Sequence, residues 1–289
     1  MKQKTENTYQ KSILITGCSS GVGQASALYL ARHGVTVFAA VRKEADAESL
    51  RQLGLPGLIP LCPLDLTQPQ QIEAAVTWLQ EELQRRGLHG LDGVLHNAGG
   101  GGPAPIEMLE PVLLQTQLHT RVVGSMALTQ VVLPLLRQVG GRLLWIATPA
   151  LIPTPYVTGI HAADFAVACL ARTLEIELKP WHIASILIRC GGIQTPAGAR
   201  TISDIETLLQ KDVLGKADLY ASALQKWLTD MAEFDAHRTP PERVAEVVYR
   251  AFTASRPRHR YAVGHLAMAA AFLEALPAPL CDALLKARY

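Results

Sequence analysis

The sequence predicts an α/β protein built on a doubly wound parallel sheet with helices on both faces. Three observations lead there. Strand-like and helix-like segments alternate from residue 11 to residue 190. The strand-like runs are apolar without alternation, as strands covered on both faces must be. Glycines stand where helical segments need a C-terminal stop, at Gly34, Gly54 and Gly87.

The elements follow in order. A β-branched and Leu-rich run over 11–16 stops at Gly17. Residues 22–33 read as a helix, with Ala27, Leu28, Leu30 and Ala31 at helical spacing. Strands are expected over 35–41, 58–64, 91–96, 142–147 and 183–189. Helices are expected over 45–53, 70–86 and 159–178, with 107–138 helical in two pieces. Residues 194–237 are irregular and mostly helical. Pro240-Pro241-Glu242 opens another helix, since proline is tolerated in a first turn. A short strand at 261–263 precedes an apolar helical tail, 267–285, broken at Pro277 and Pro279. No linker interrupts the pattern. The expectation is a polar N-terminal tail, 1–10, and one domain, 11–289, in which 194–238 forms a lid.

Composition narrows the function. The 289 residues carry 27 basic and 25 acidic side chains, a formal charge of +2. That balance lacks the clustered basic surface of a nucleic-acid binder. Apolar runs are interrupted before the roughly 20 residues that a membrane span requires. The polar residues 1–10 do not form a signal peptide. The five cysteines (Cys18, Cys62, Cys169, Cys190 and Cys281) are scattered with no Cys-x-x-Cys. They read as reduced thiols of a cytoplasmic protein rather than as disulfides or metal ligands.

The segment Thr16-Gly17-Cys18-Ser19-Ser20-Gly21-Val22-Gly23 joins the first strand to the first helix. Its glycines allow a tight turn and close backbone approach to a ligand. The helix N-terminus beyond presents free N–H groups and the positive end of a dipole, which suits a diphosphate.

This arrangement resembles the short-chain dehydrogenase/reductase family, and the resemblance covers nearly the whole chain. It implies a Rossmann-type fold. Asp65-Leu66-Thr67 matches the family's adenine-contacting segment, and Asn97-Ala98-Gly99 its Asn-Ala-Gly after the fourth strand. Gly191-Gly192-Ile193-Gln194-Thr195 matches the segment that holds the nicotinamide amide. The run from Arg256 to Gly264 is similar to the 17β-hydroxysteroid and retinol dehydrogenase subgroup. NAD enzymes of this type place an acid at the end of the second strand. Here Arg42 and Lys43 follow, which suits the extra 2′-phosphate of NADP(H) better than NAD(H). Ser19 and Ser20 are candidates for further hydrogen bonds to that phosphate.

The family's catalytic set is Asn, Ser, Tyr and Lys. Anchored on Phe165-Ala166, the resemblance puts Ile160 at the tyrosine position and Asp164 at the lysine position. The serine position falls at Thr148, or at Ala147 if the loop differs in length. The Asn position carries Arg121. Tyr156 has Ile160 four residues on, and no lysine lies between Lys43 and Lys179, so no shift of alignment restores a Tyr-x-x-x-Lys pair. His161 is a candidate acid–base substitute, since an unperturbed imidazole titrates near neutrality, but it is turned about 100 degrees from Ile160 on a helix and reads rather as structural or surface. In the family fold the Asn and Lys side chains approach one small volume, so Arg121 and Asp164 are candidates for an ion pair there.

Arg121, Asp164 and Thr148 are the candidate catalytic residues. The leading expectation is an NADP(H)-binding enzyme repurposed for non-redox chemistry of a cyclisation or isomerisation type. The second is an atypical NADPH-dependent reductase of an activated carbonyl, enone or iminium. The third is a non-catalytic NADP(H)-binding protein. The apolar lid and tail suggest a hydrophobic small-molecule substrate. Gly99 to Gly102 reads as a run that widens the pocket or makes a loose turn. The apolar stretch 112–136 is expected to support a homodimer.

Overall fold

The computed structural model describes residues 10–149, 154–212 and 215–286. The expected tail 1–10 thus lies outside the described residues except at its last position. Strands β1 (Ser12–Thr16), β2 (Thr36–Ala40) and β3 (Leu58–Leu61) alternate with helices α1 (Gly21–Arg32), α2 (Glu44–Gln52) and α3 (Pro69–Arg85). Strand β4 (Gly93–His96) leads through a 3-10 turn, Ile106–Met108, to α4 (Pro111–Leu118). A π-helical segment, His119–Gly124, joins α4 to α5 (Ser125–Arg137). Then come β5 (Arg142–Ala147), α6 (Thr158–Glu177) and β6 (Ala184–Cys190). Helices α7 (Pro196–Ala199), α8 (Thr201–Lys211) and α9 (Ala217–Ala236) fill the lid region. The chain ends with α10 (Pro241–Thr253), β7 (Arg260–Val263), α11 (Ala267–Leu273) and α12 (Ala278–Lys286).

All seven strands are parallel, in the order β3-β2-β1-β4-β5-β6-β7. The order reverses between β1 and β4, and ligands of such sheets bind beyond the strand carboxyl ends at that point. Both faces are covered. Leu14, Phe38, Val94 and Trp145 pack on one side with Leu79, Leu128, Val132 and Val167 of α3, α5 and α6. Ile13, Ile15, Val37 and Ile188 pack on the other with Leu30 of α1 and Val244, Val248 and Phe252 of α10. This double burial explains why the strands read as continuous apolar runs.

Two expectations are corrected. The 107–138 region is not a simple pair of helical pieces: a π-helical turn stands at its centre and carries Arg121. The tail breaks between Leu273 and Ala278, and Pro279 breaks nothing. It is the second residue of α12, where the N–H it lacks would have had no helical partner.

Candidate active site

At the switch point, the loop between β1 and α1 is shaped by its glycines. Gly17 has φ +73°, and a Cβ there would stand 2.9 Å from Ala98 Cα. A Cβ at Gly23 would stand 2.2 Å from Gly17 O and 2.5 Å from Asn97 Nδ2. Gly21, at φ +60°, faces the Thr195 side chain. Ser20 is the N-cap of α1 and makes no side-chain capping bond, so the first amides of a 12-residue helix open onto this cradle. Ser19 and Ser20 are exposed beside it, and Val22 is half-buried.

Asn97 fixes the cradle from beneath. Its Nδ2 donates to Thr16 O (3.0 Å) and Gly17 O (3.2 Å). The backbone N–H groups of Asn97 and Ala98 both donate to Thr16 Oγ1, at 3.0 Å each. The Asn97 amide is thus committed to holding the glycine loop against β4.

At the far end, Asp65 Oδ1 accepts from Thr67 N (2.9 Å) and Thr67 Oγ1 (2.7 Å). Burial works against ionisation of Asp65, but these bonds and nearby Arg42 hold its carboxyl below the usual range. Arg42 and Lys43 are exposed just past β2. Buried Leu66 presents its carbonyl to Gly124, where a Cβ would come within 2.2 Å.

The ends of β5, α6 and the π-helical turn meet in one cluster. Arg121 Nη2 ion-pairs with Asp164 Oδ1 and donates to Ile146 O at 2.8 Å. Asp164 Oδ2 accepts from Thr148 N (2.7 Å) and Thr148 Oγ1 (2.8 Å). Asp164 is 1% exposed. Two charges leave water here, and the loss is offset because each is paired and the carboxylate is further hydrogen-bonded. Arg121 Nε remains buried without a partner. Of the two serine-position candidates, Thr148 rather than Ala147 brings a hydroxyl into the cluster. Cys190, buried at the end of β6, has its thiol pushed up to about 12 by burial and by nearby Asp164.

In the exposed glycine run 99–102, side chains lie over Gly99 and Gly101, whereas a Cβ at Gly100 would meet nothing within 4 Å. Arg121 lies over Gly99, where a Cβ would stand 2.4 Å from its Cγ. Gln117, four residues earlier, lies over Gly101, and its Oε1 also sits against Gly159 in the first turn of α6. The spacing of four residues would have suggested Gln117 as a companion of Arg121. The π-helical turn that aims both at the loop had no sequence signal.

The 191–195 segment is clamped by residues that sequence reading missed. Gly191 and Gly192 donate to Val263 O and His265 O, each at 2.9 Å, and Gln194 N donates to Thr239 O at 2.9 Å. Arg238 Nη1 donates to Ile193 O at 3.1 Å. A Cβ at Gly191 would stand 2.1 Å from His265 O. Thr195 Oγ1 caps α7 by accepting from Gly198 N at 3.3 Å. Tyr156 belongs to the lid: its ring meets Trp227 edge-on at 6.0 Å, near Ile205 and Leu224. Ile160 is half-buried. Among the described residues, no helix is long and apolar enough to cross a membrane, and no cluster of His, Cys, Asp and Glu could hold a metal ion.

This geometry has parallels. The family profile described as short chain dehydrogenase matches residues 11–206. A 3-amino-tetrahydro-pyrrolizinone reductase of Xenorhabdus hominickii is 30% identical over 261 residues, covering 88% of this chain and 87% of the relative. Retinol dehydrogenase 7 of Mus musculus is 29% identical over 276 residues, covering 91% and 83%. The crystal structure of a short chain dehydrogenase from Burkholderia cenocepacia in complex with NADP superposes with a TM-score of 0.71 at 18% identity, covering 96% and 97%. The chain belongs to the short-chain dehydrogenase family and is of its retinol- and steroid-dehydrogenase-like type.

Proposed function

We propose that the protein is an NADPH-dependent reductase of an activated acceptor, working without the tyrosine and lysine that the family resemblance assigns. The observation that carries this reading is the cradle at the switch point: glycines that tolerate no Cβ, and an uncapped helix N-terminus facing Thr195. These residues fit a dinucleotide diphosphate. Arg42 and Lys43 would take a 2′-phosphate, Asp65 and Leu66 the adenine, and the clamped 191–195 segment with Thr195 the nicotinamide amide. When bound, the reduced nicotinamide supplies a hydride.

The chain's own residues position the acceptor. Arg121, Asp164 and Thr148 make a nearly neutral, hydrogen-bonded floor at the strand ends. The lid, 194–238, excludes water and is itself held by a small apolar core of Ile205, Leu224 and Trp227 packed with Tyr156. The family resemblance puts Ile160 where a phenol would protonate an alkoxide, so the substrate must accept hydride with little acid help. The relatives named as a reductase and a dehydrogenase favour this redox reading over cyclisation or isomerisation. The molecule acts as one domain and as a homodimer through α4, the π-helical turn and α5, where Val112, Leu113, Val123 and Met126 are exposed.

Protein fluorescence titrated with NADPH and NADH, followed by NADPH absorbance on carbonyl, enone and iminium panels, tests the proposal. NADPH should bind about tenfold or more tightly than NADH, as one charge-assisted contact to a phosphate provides. An activated acceptor should then oxidise it. Binding without oxidation by any acceptor would return the site to non-redox chemistry, and absence of binding would overturn the cofactor assignment.

A further inference from the structure

The hydrogen-bond polarity of Thr148 defines the electrophile. Asp164 is the anionic half of an ion pair with Arg121, so its oxygens can only accept. Its Oδ2 stands 2.8 Å from Thr148 Oγ1, and the proton between them must belong to the threonine. The adjacent Thr148 N–H, 2.7 Å from the same oxygen, holds the carboxylate in that position. A hydroxyl has one proton and two lone pairs. With its proton spent inward, Thr148 offers a ligand only lone pairs. A carbonyl oxygen needs donors, and at this position it would meet an acceptor. A group bearing N–H is matched.

We infer that the substrate presents a protonated imine, an N–H-bearing iminium, to Thr148. This deepens the proposed reductase activity and rests on it. The N–H donates to Thr148 Oγ1, which donates to Asp164, so the chain of bonds ends on a carboxylate and polarises in one direction. Dihydronicotinamide is the reductant. Hydride forms a new C–H bond at the iminium carbon, and the π electrons of the C=N bond become the lone pair of a neutral amine. The dinucleotide leaves oxidised. No proton is transferred in the step, so the balance needs neither a phenol nor an ammonium group. A ketone would end as an alkoxide beside an acceptor and a carboxylate.

The test uses the full chain and two matched probe pairs. Oxidation of NADPH is compared for 2-phenyl-1-pyrroline and 2-phenylcyclopentanone. Independently, calorimetry compares binding of the amine 2-phenylpyrrolidine with that of phenylcyclopentane, to the protein alone and with NADP⁺. The cyclic imine should be reduced at least about tenfold faster than the ketone, and the amine should bind about tenfold more tightly than the hydrocarbon, the scale of one hydrogen bond to a charged group. Thr148→Ser should keep both preferences. Thr148→Val, checked for folding by its melting temperature, should lose them. Ketone preference, equal binding of amine and hydrocarbon, or an amine preference that survives in a folded Thr148→Val protein would overturn the inference. Reduction of the ketone alone would leave the reductase reading standing. Selective amine binding with no NADPH oxidation by the imine would overturn the inference, while oxidation by any other acceptor of the panels would keep the reductase reading.

Discussion

Arg121 and Gly99 are packed so closely that a methyl group on Gly99 would stand 2.4 Å from Arg121 Cγ and 2.6 Å from its Nη1. The glycine of the Asn-Ala-Gly segment therefore makes room for a side chain of this chain as well as bordering the cradle. Gly99 also has φ +148°, which L side chains rarely adopt. Gly99→Ala should destabilise by about 1–3 kcal/mol, through overpacking and backbone strain together. In an Arg121→Ala background the same change should cost only the strain, which urea unfolding of both single variants and the double variant would show.

The ion pair makes a second prediction. Asp164 is almost fully buried, and removing Arg121 leaves its carboxylate with only Thr148. Arg121→Ala should cost roughly 3–5 kcal/mol, and Arg121→Ala with Asp164→Ala should cost much less than the sum of the single changes. Additive losses in a denaturation cycle would show that the pair contributes no coupling.

The cradle gives a third. A Cβ at Gly23 would meet backbone at 2.2 Å, a clash that no side-chain movement relieves. Gly23→Ala should abolish NADPH binding outright. Arg42→Ala, on an exposed side chain, should leave folding intact and weaken NADPH by about tenfold, with little change for NADH. Fluorescence titration with each dinucleotide reads both outcomes.

His96, the residue before Asn97 of the cradle, sets a pH dependence of stability. It is stacked on Trp145 with ring centroids 4.1 Å apart, and Thr129 Oγ1 lies 3.0 Å from its Nε2. That hydroxyl spends its proton on Ser125 O at 2.8 Å, so Nε2 is the donor and Nδ1 is left buried without a partner. Burial lowers the His96 pKa from 6.5 to about 3. The folded ring stays neutral where the unfolded one takes up a proton. Its stabilising contribution is therefore complete above pH 6.5 and is lost as pH falls towards about 3. Between pH 6.5 and the carboxylate range, stability should fall by up to about 1.4 kcal/mol per pH unit. His96→Phe should flatten that slope, measured by urea unfolding against pH.

Much of this architecture was legible because local chemistry dictated it. Strands covered on both faces had to be apolar throughout, and Gly17, Gly21 and Gly23 had to be glycine for the turn and the contacts with Ala98 and Asn97. Arg121 and Asp164 were legible as a pair because the resemblance set two opposite charges in one volume. The π-helical turn was not legible, since nothing in the residue pattern of His119–Gly124 departs from ordinary helical spacing. The clamp on Ile193 and Gly192 was equally hidden. Arg238, Thr239 and His265 reach those residues from well down the chain: His265 follows β7 where it lies beside β6, and Thr239, between α9 and α10, bridges Ile193 separately. Pro279 misled because its effect depends on where the helix starts.

The central claim, a nicotinamide cradle serving reduction above the Arg121–Asp164–Thr148 floor, is tested most directly by single-turnover oxidation of bound NADPH on the acceptor panel, comparing the parent protein with Asp164→Ala. The account predicts unchanged NADPH affinity in the two proteins, with oxidation by an activated acceptor in the parent and a loss of at least about tenfold in the variant, the scale of a lost charge-assisted contact. NADPH that binds yet is oxidised by no acceptor, or is oxidised equally well without Asp164, would contradict it.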